Sequence, residues 1–109
     1  MFCRADPSDY KPVLPGIQFK TLVFGDETLF SEFRLKAGSR LPSHSHIHEQ
    51  AGYLVQGKIR LTIGDQVFTA EPGDSWCIKS NISQCAEILA DSVAIEVFSR
   101  VREDYLPSL

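Results

Sequence analysis

The chain has 109 residues, a length that suits one domain and leaves no room for a second independent core. Its formal net charge is −3 and its eleven basic residues are scattered, which excludes nucleic acid as an expected partner. No apolar run approaches the roughly 20 residues of a membrane-spanning helix, so no membrane partner is expected. Residues 1–11 lack the order of a signal peptide and the three cysteines lack metal-type spacing, which predicts a cytoplasmic protein with reduced thiols.

The predicted elements are nearly all strands. Residues 1–15 are expected to be a flexible lead-in, followed by a single domain at residues 16–109. In chain order, alternating apolar patterns predict strands at residues 17–24, 28–36, 52–56, 58–63, 67–70, 75–78, 86–89 and 93–99. One helical turn is expected within residues 102–106. Strands punctuated by glycine and proline every 8–12 residues or so predict an all-β sandwich or barrel.

All three histidines of the chain lie within five residues, as His44, His46 and His48. In a regular strand, side chains two positions apart share a face, so these imidazoles could meet at one point inside a barrel. Neutral imidazole is a good ligand for Zn, Ni, Fe, Mn or Cu. The alternative is an exposed histidine-rich turn that arose by chance. Periodicity alone favours His48 as the third ligand.

The residues around this cluster resemble the first motif of the cupin family. That motif is a glycine, a His-x-His pair, an acid and a later glycine, and the chain has Gly38, His44-x-His46, Gln50 and Gly57 at matching spacing. The resemblance extends from about residue 16 to residue 105. It implies a small antiparallel β-barrel, or jelly roll.

The second cupin motif is similar to residues 73–84 but departs from the family pattern at three positions. Where the family usually has proline, glycine and histidine, this chain has Lys79, Asn81 and Gln84. The change at Gln84 matters most, because the family histidine there is a metal ligand.

Carried over position by position, the resemblance implies a divalent metal (Ni, Zn, Mn or Fe) held by His44, His46, Gln50 and Gln84. In cupins the chain bends after the second histidine, which favours Gln50 over His48. Amide oxygens are weaker ligands than imidazole and carry no charge to offset a divalent cation. A barrel that has lost its metal is therefore an alternative.

A second group of candidate residues lies near the end of the chain. Glu96 stands among apolar residues and shares a strand face with Ala94 and Phe98. A carboxylate on the inward face of a barrel is costly unless it is paired, metal-bound or protonated, so Glu96 is a candidate acid/base. The alternative is an outward Glu96 that pairs with Arg60 or Lys58.

Residues 96–106 resemble the ending of a group of bacterial single-domain cupins. That group includes enzymes that open 4,5-unsaturated uronate sugars released from pectin and alginate. There an aspartate at the position of Glu96 is the general acid/base, an aromatic residue matches Phe98 and an arginine matches Arg102. The resemblance thus implies catalytic roles for Glu96 and Arg102, and substrate contacts for Phe98 and Arg102.

Three functions remain open at this point. The first is a metal-dependent enzyme acting on a small carboxylate-bearing molecule, with uronate ring opening as the best candidate reaction. The second is a non-catalytic barrel that binds or senses a small ligand, which the loss of the fourth histidine favours. The third is an Fe-dependent dioxygenase, whose carboxylate would come from Glu49 or Glu96. Single-domain cupins commonly dimerise by exchanging N-terminal strands, so a homodimer is expected.

Overall fold

The alternating apolar pattern produces a nearly all-strand fold in the computed structural model, which describes residues 1–100 and 103–106. Its strands are β1 (Lys11–Leu14), β2 (Ile17–Phe24), β3 (Thr28–Leu35), β4 (Arg40–His44), β5 (Glu49–Ile63), β6 (Gln66–Ala70), β7 (Ser75–Ile78) and β8 (Gln84–Ser99). A single 3-10 turn follows at Glu103–Tyr105, within the predicted helical turn. No helix in these residues is long and apolar enough to cross a membrane. The all-β prediction is confirmed.

The strands form two antiparallel layers that share β5 and β8. The hydrogen-bonded order is β1-β2-β3-β8-β5-β6, with β4 also paired to β8 and β7 to β5. The first half of β5 pairs with the second half of β8, and the second half of β5 with the first half of β8. Each long strand therefore crosses from one layer to the other, which closes the sheet into the predicted jelly-roll barrel.

β5 and β8 differ from prediction because each was expected as two separate strands. Gly57 is a bulge rather than a turn: its φ is +100°, and the β5–β8 register shifts between Leu54 and Lys58. A Cβ at Gly57 would lie 2.1 Å from Ser92 Oγ, so glycine also allows the two strands to approach here. The pairing continues on both sides of the bulge.

β1 and β4 were not predicted as strands. β1 takes residues 11–14 of the expected lead-in and pairs with β2, so β2 is not at the edge of the sheet. Both strands are short, and they contain Pro12 and Pro42. Proline is tolerated at sheet edges, where its missing N–H leaves no ladder bond unmade. In the described structure β1 pairs only with β2 and β4 only with β8.

The core consists of the alternate residues of each strand that point between the layers. Its buried members come from β2, β3, β5, β6 and β8, and the largest of those that are fully buried are Phe98, Ile17, Leu29 and Leu54. In β7 the same alternation turns Trp76 and Ile78 inward and leaves Cys77 exposed. The three cysteines are free thiols. One continuous core supports one domain.

Candidate metal and acid-base site inside the barrel

A cavity of about 290 Å³ lies between the two layers. The inward side chains of β8 organise the cavity. Those of the first half of the strand line one wall, and those of the second half line the opposite wall. Gln84, Ala86 and Ile88 face the cavity from the first layer. After crossing over, β8 returns with Ala94, Glu96 and Phe98. The two ends of β8 thus bring their polar residues to the same end of the cavity.

Gln50 lies at the centre of the polar end. Its Oε1 accepts a hydrogen bond from Gln84 Nε2 at 2.9 Å and lies 2.7 Å from His46 Nε2. Gln84 Nε2 is 3.3 Å from His46 Nε2. His44 pairs with Gln84 in the β4–β8 register and lines the same cavity. The structure therefore brings together all four residues that the resemblance implied as metal ligands.

These side chains lie close enough together to become ligands of one ion. Their polar atoms are at hydrogen-bond distances of 2.7–3.3 Å, and one of them is the NH₂ nitrogen of Gln84, which is not a ligand atom. Ligand atoms around an ion at about 2.1 Å would lie about 3.0–3.4 Å apart. His44 Nδ1 lies 2.9 Å from Pro42 O, and a carbonyl can only accept, so Nδ1 carries the proton and Nε2 keeps its lone pair. Imidazole and amide donors together fit a divalent ion with N/O preference.

The donor set is nevertheless electrically neutral. Within residues 1–100 and 103–106, no three His, Cys, Asp or Glu side chains are grouped so as to hold a metal. Any ion at this position would depend on the two amides, and Gln84 turns its NH₂ group toward the cluster. The Gln84 amide would have to rotate to present its oxygen. The residues therefore fit a divalent ion, with the weaker affinity expected of amide ligands.

His48 lies apart from this cluster. The periodicity argument required a regular strand through all three histidines, but β4 ends at His44 and the chain bends at residues 47–48. The His48 side chain does not line the cavity and borders a different surface depression, with Ile47 and Glu49. Gln50, by contrast, is buried and in contact with His46.

Glu96 faces inward, next to the polar cluster. Gln50 Nε2 donates to its Oε2 at 3.1 Å, and Trp76 Nε1 donates to its Oε1 at 3.2 Å. Burial raises the pKa of Glu96 from 4.5 to about 7, although both hydrogen bonds act in the opposite direction. The alternative outward orientation is wrong: on the outer face Arg60 pairs with Glu87 at 3.1 Å.

The structure describes the aromatic residue that the C-terminal resemblance implied as a substrate contact, but not the arginine. Phe98 is buried and lines the cavity, with its ring centroid 5.9 Å from that of His46. Tyr105 packs edge-on against Phe98 at 5.4 Å and also lines the cavity, which the sequence did not indicate. Arg102 lies outside the described residues.

Trp76 is a site residue that sequence reasoning missed, although inward alternation in β7 and its status as the single tryptophan were signals for it. It stands opposite Gly52, which in turn stands opposite Glu96. A Cβ on Gly52 would lie 2.1 Å from Trp76 Nε1. The glycine thus leaves room for the indole to reach the carboxyl of Glu96.

We expect Gly52→Ala to displace the indole, break its hydrogen bond to Glu96 and destabilise the protein by about 1–3 kcal/mol. Because Trp76 is the only tryptophan, its fluorescence reports the displacement directly. Gly25→Ala is the matched control, since a Cβ there meets nothing within 4 Å. An unchanged emission spectrum for Gly52→Ala would contradict the packing described here.

Comparison with known proteins agrees with this geometry. A family model described as the cupin domain matches residues 31–96, which is more than half of the chain. The chain belongs to the cupin family. A search of curated proteins finds no match to this cupin.

Solved structures extend the likeness over almost the whole cupin. KdgF from Halomonas sp. is 29% identical with a TM-score of 0.92, covering 97% of this chain and 98% of its own. An RmlC-like cupin from Shewanella frigidimarina is 22% identical with a TM-score of 0.91, covering 96% and 95%. A salicylate 1,2-dioxygenase from Pseudoaminobacter salicylatoxidans is 16% identical with a TM-score of 0.76, covering 82% of this chain and 26% of its own. The last two, at such low identity, show the fold alone.

Proposed function

We propose that this cupin holds a divalent metal ion and a small oxygen-bearing molecule in its cavity, and that Glu96 exchanges a proton with that molecule. One observation carries the proposal. Polar atoms of His46, Gln50 and Gln84 lie 2.7–3.3 Å apart, and a buried carboxyl is hydrogen-bonded directly to one of them. A ligand-binding cluster beside a buried acid is an arrangement suited to acid-base chemistry.

The proposed ligands are His44, His46, Gln50 and Gln84, and the ion is Ni, Zn, Mn or Fe. When bound, such an ion acts as a Lewis acid that polarises an oxygen of the bound molecule. The side chain of Gln50 has two functions in this scheme, because its oxygen faces the cluster while its NH₂ group orients Glu96. Removing Gln50 would therefore disturb both the ion and the acid.

Glu96 is proposed as the group that moves the proton. Among the described residues that line the cavity it is the only carboxylic acid, and Trp76 and Gln50 hold its two oxygens from either side. Its burial keeps bulk water away from the proton it carries. The reaction class is proton transfer to or from a molecule whose neighbouring oxygen is polarised.

Ring opening of 4,5-unsaturated uronates is the first reaction to test. Residues 96–106 resemble the ending of the cupin group that includes the uronate ring-opening enzymes, and the chain is similar to KdgF from Halomonas sp. over almost its whole length. Arg102 is proposed, from that resemblance, to bind the substrate carboxylate. Incubation of the Ni- or Zn-bound protein with unsaturated uronates, followed by loss of the ultraviolet absorbance of the conjugated double bond, tests this reaction. Absence of turnover with every metal would exclude it.

A non-catalytic binding barrel is the second candidate. It is supported by the hydrogen bonds that already join Gln84, Gln50 and His46 to one another, and by their lack of charge. A small carboxylate that raises the melting temperature and is recovered unchanged would favour this function over the enzyme. The dioxygenase alternative has less support, since Glu49 is exposed and borders another depression, which leaves Glu96 as the carboxylate.

A homodimer in the cytoplasm remains our proposal for the assembly and location of the protein. The support for a dimer is the edge strand β1, whose Val13 and Leu14 are partly exposed. An unpaired apolar edge tends to be covered by another chain. Sedimentation velocity at micromolar concentration is expected to give a species of twice the chain mass, and a monomer would contradict the proposal.

We expect Gln84→His to tighten binding of Ni or Zn by about 10- to 100-fold, because imidazole is a better ligand than an amide for these metals. Competition with a coloured chelator measures the change. Gln18→His is the matched control, since Gln18 is an exposed residue of β2 and does not line the cavity. Equal affinity for wild type and Gln84→His would show that position 84 does not contact the ion.

A further inference from the structure

The polar cluster occupies only one end of the cavity. The strand register places successive inward residues at increasing distance from it. In the first layer, Gln84 is followed by the pair Ala86 and Leu61, and then by the pair Ile88 and Ile59. In the second layer, Glu96 is followed by Ala94, which stands opposite Phe33 and Leu54. Of these, all except Leu54 line the cavity.

Apart from Tyr105, whose ring centroid lies 6.3 Å from that of Phe33, the described side chains at this second end carry no hydrogen-bonding group. They are Phe33, Leu35, Ile59, Leu61, Ile88 and Ala94, which are all buried. Val13 and Leu14 of β1, with Leu41 and Pro42 of β4, also line the cavity, so both of its edge strands add apolar surface. We name this region the apolar end of the cavity.

A sugar ring is poorly matched to these walls. Each hydroxyl that leaves water without finding a hydrogen-bond partner costs about 1–3 kcal/mol. A hydrocarbon ring in the same place gains about 25 cal/mol for each Å² of apolar surface removed from water. The apolar end should therefore bind a hydrocarbon ring at least tenfold more tightly than a hydroxylated ring.

The volume limits the size of the ligand. An engineered protein cavity of about 150 Å³ holds benzene. The present cavity, at about 290 Å³, is roughly twice as large, which corresponds to about ten to twelve non-hydrogen atoms. One ring with a short polar substituent fits that size, whereas a disaccharide does not.

We propose that the natural ligand is a monocyclic aromatic or alicyclic carboxylic acid, with its carboxylate at the polar end of the cavity and its ring in the apolar end. This inference rests on the proposed function for the polar cluster. It predicts that the uronate reaction named above will not be found, since the residues of the apolar end select against a hydroxylated ring.

Calorimetric titration with three matched acids tests the preference. Benzoate, cyclohexanecarboxylate and glucuronate each carry one carboxylate and one six-membered ring, and differ in the polarity of the ring. With the Ni-bound protein we expect the first two to bind at least tenfold more tightly than glucuronate. Glucuronate binding as tightly as benzoate, or more tightly, would overturn the proposal.

Two variants locate the ring in the apolar end. Ala94→Leu adds three carbons to a buried wall residue there, and is expected to weaken benzoate binding at least tenfold while leaving Ni affinity unchanged. Ala86→Val fills less of the cavity and is also expected to weaken benzoate binding. It replaces the first variant if that variant fails to fold. Ala51→Leu, at an exposed position of β5, is the control. Unchanged benzoate affinity in both cavity variants would overturn the proposal.

The failure of this inference can be told apart from failure of the proposed function. If no metal binds but the metal-free protein still prefers benzoate to glucuronate, the apolar end is supported and the metal site is not. If Ni binds and depends on His44 and His46, while glucuronate is preferred, the polar cluster is supported and the inference is wrong.

Discussion

Glu96→Gln is expected to make the metal-free protein more stable at pH 8, and to remove most of the pH dependence of its stability between about pH 4.5 and 8. The reason is the burial that raises the pKa of Glu96 from 4.5 to about 7. An acid whose pKa is raised by folding contributes its full stability below the unfolded pKa, and loses it as pH rises through the folded pKa. A rise of this size in the pKa corresponds to a loss of about 3 kcal/mol by pH 8.

Urea unfolding at pH 4, 6 and 8 in the presence of a chelator measures this effect. Glu87→Gln is the matched control, because it makes the same change on the outer face of the same strand, where the side chain is 47% exposed. Its stability should follow that of the wild type at each pH. The difference in unfolding free energy between the wild type and Glu96→Gln should change from pH 4 to pH 8. If this difference is the same at both pH values, the carboxyl of Glu96 is solvated rather than buried.

The same substitution separates the proposed roles of Glu96. Glutamine keeps the shape of the side chain but has no proton to exchange, so turnover of any substrate should fall by about 100- to 10,000-fold. Binding of metal should change much less, because Gln50 lies between Glu96 and the other proposed ligands. A variant that retains full turnover would exclude Glu96 as the acid/base.

Replacing His44 and His46 together with alanine is expected to abolish metal binding. Untagged wild-type protein, incubated with Ni, Zn, Mn or Fe and then freed of excess metal, should retain about one ion per chain by mass spectrometry, and the double variant none. The rise in melting temperature that a bound ion produces should disappear with it.

His48→Ala is the control for this experiment, and it also tests the alternative ligand. His48 belongs to the same cluster in sequence but borders a different depression. Metal retained by His48→Ala and lost by the double variant is the expected result. Metal lost by His48→Ala would favour the periodicity argument, with His48 as the third ligand instead of Gln50.

The local pattern of the sequence was sufficient to predict the class of fold. The apolar patterns of residues 17–24 and 75–78 predicted the bounds of β2 and β7. The same rule found Glu96 as the one charged residue on an apolar strand face. The cupin motifs then implied the four candidate ligands, which the folded chain places at one end of its cavity.

The tertiary structure decided the features that depend on contacts between distant residues. Alternation cannot show which face of β8 points inward, nor that the bend after His46 brings Gln50 to the cluster and leaves His48 outside. The contact of Trp76 with Glu96 requires Gly52 on a third strand. The apolar end of the cavity likewise combines residues of five strands. Local sequence determines what each strand buries, whereas register and closure of the barrel determine which buried groups meet.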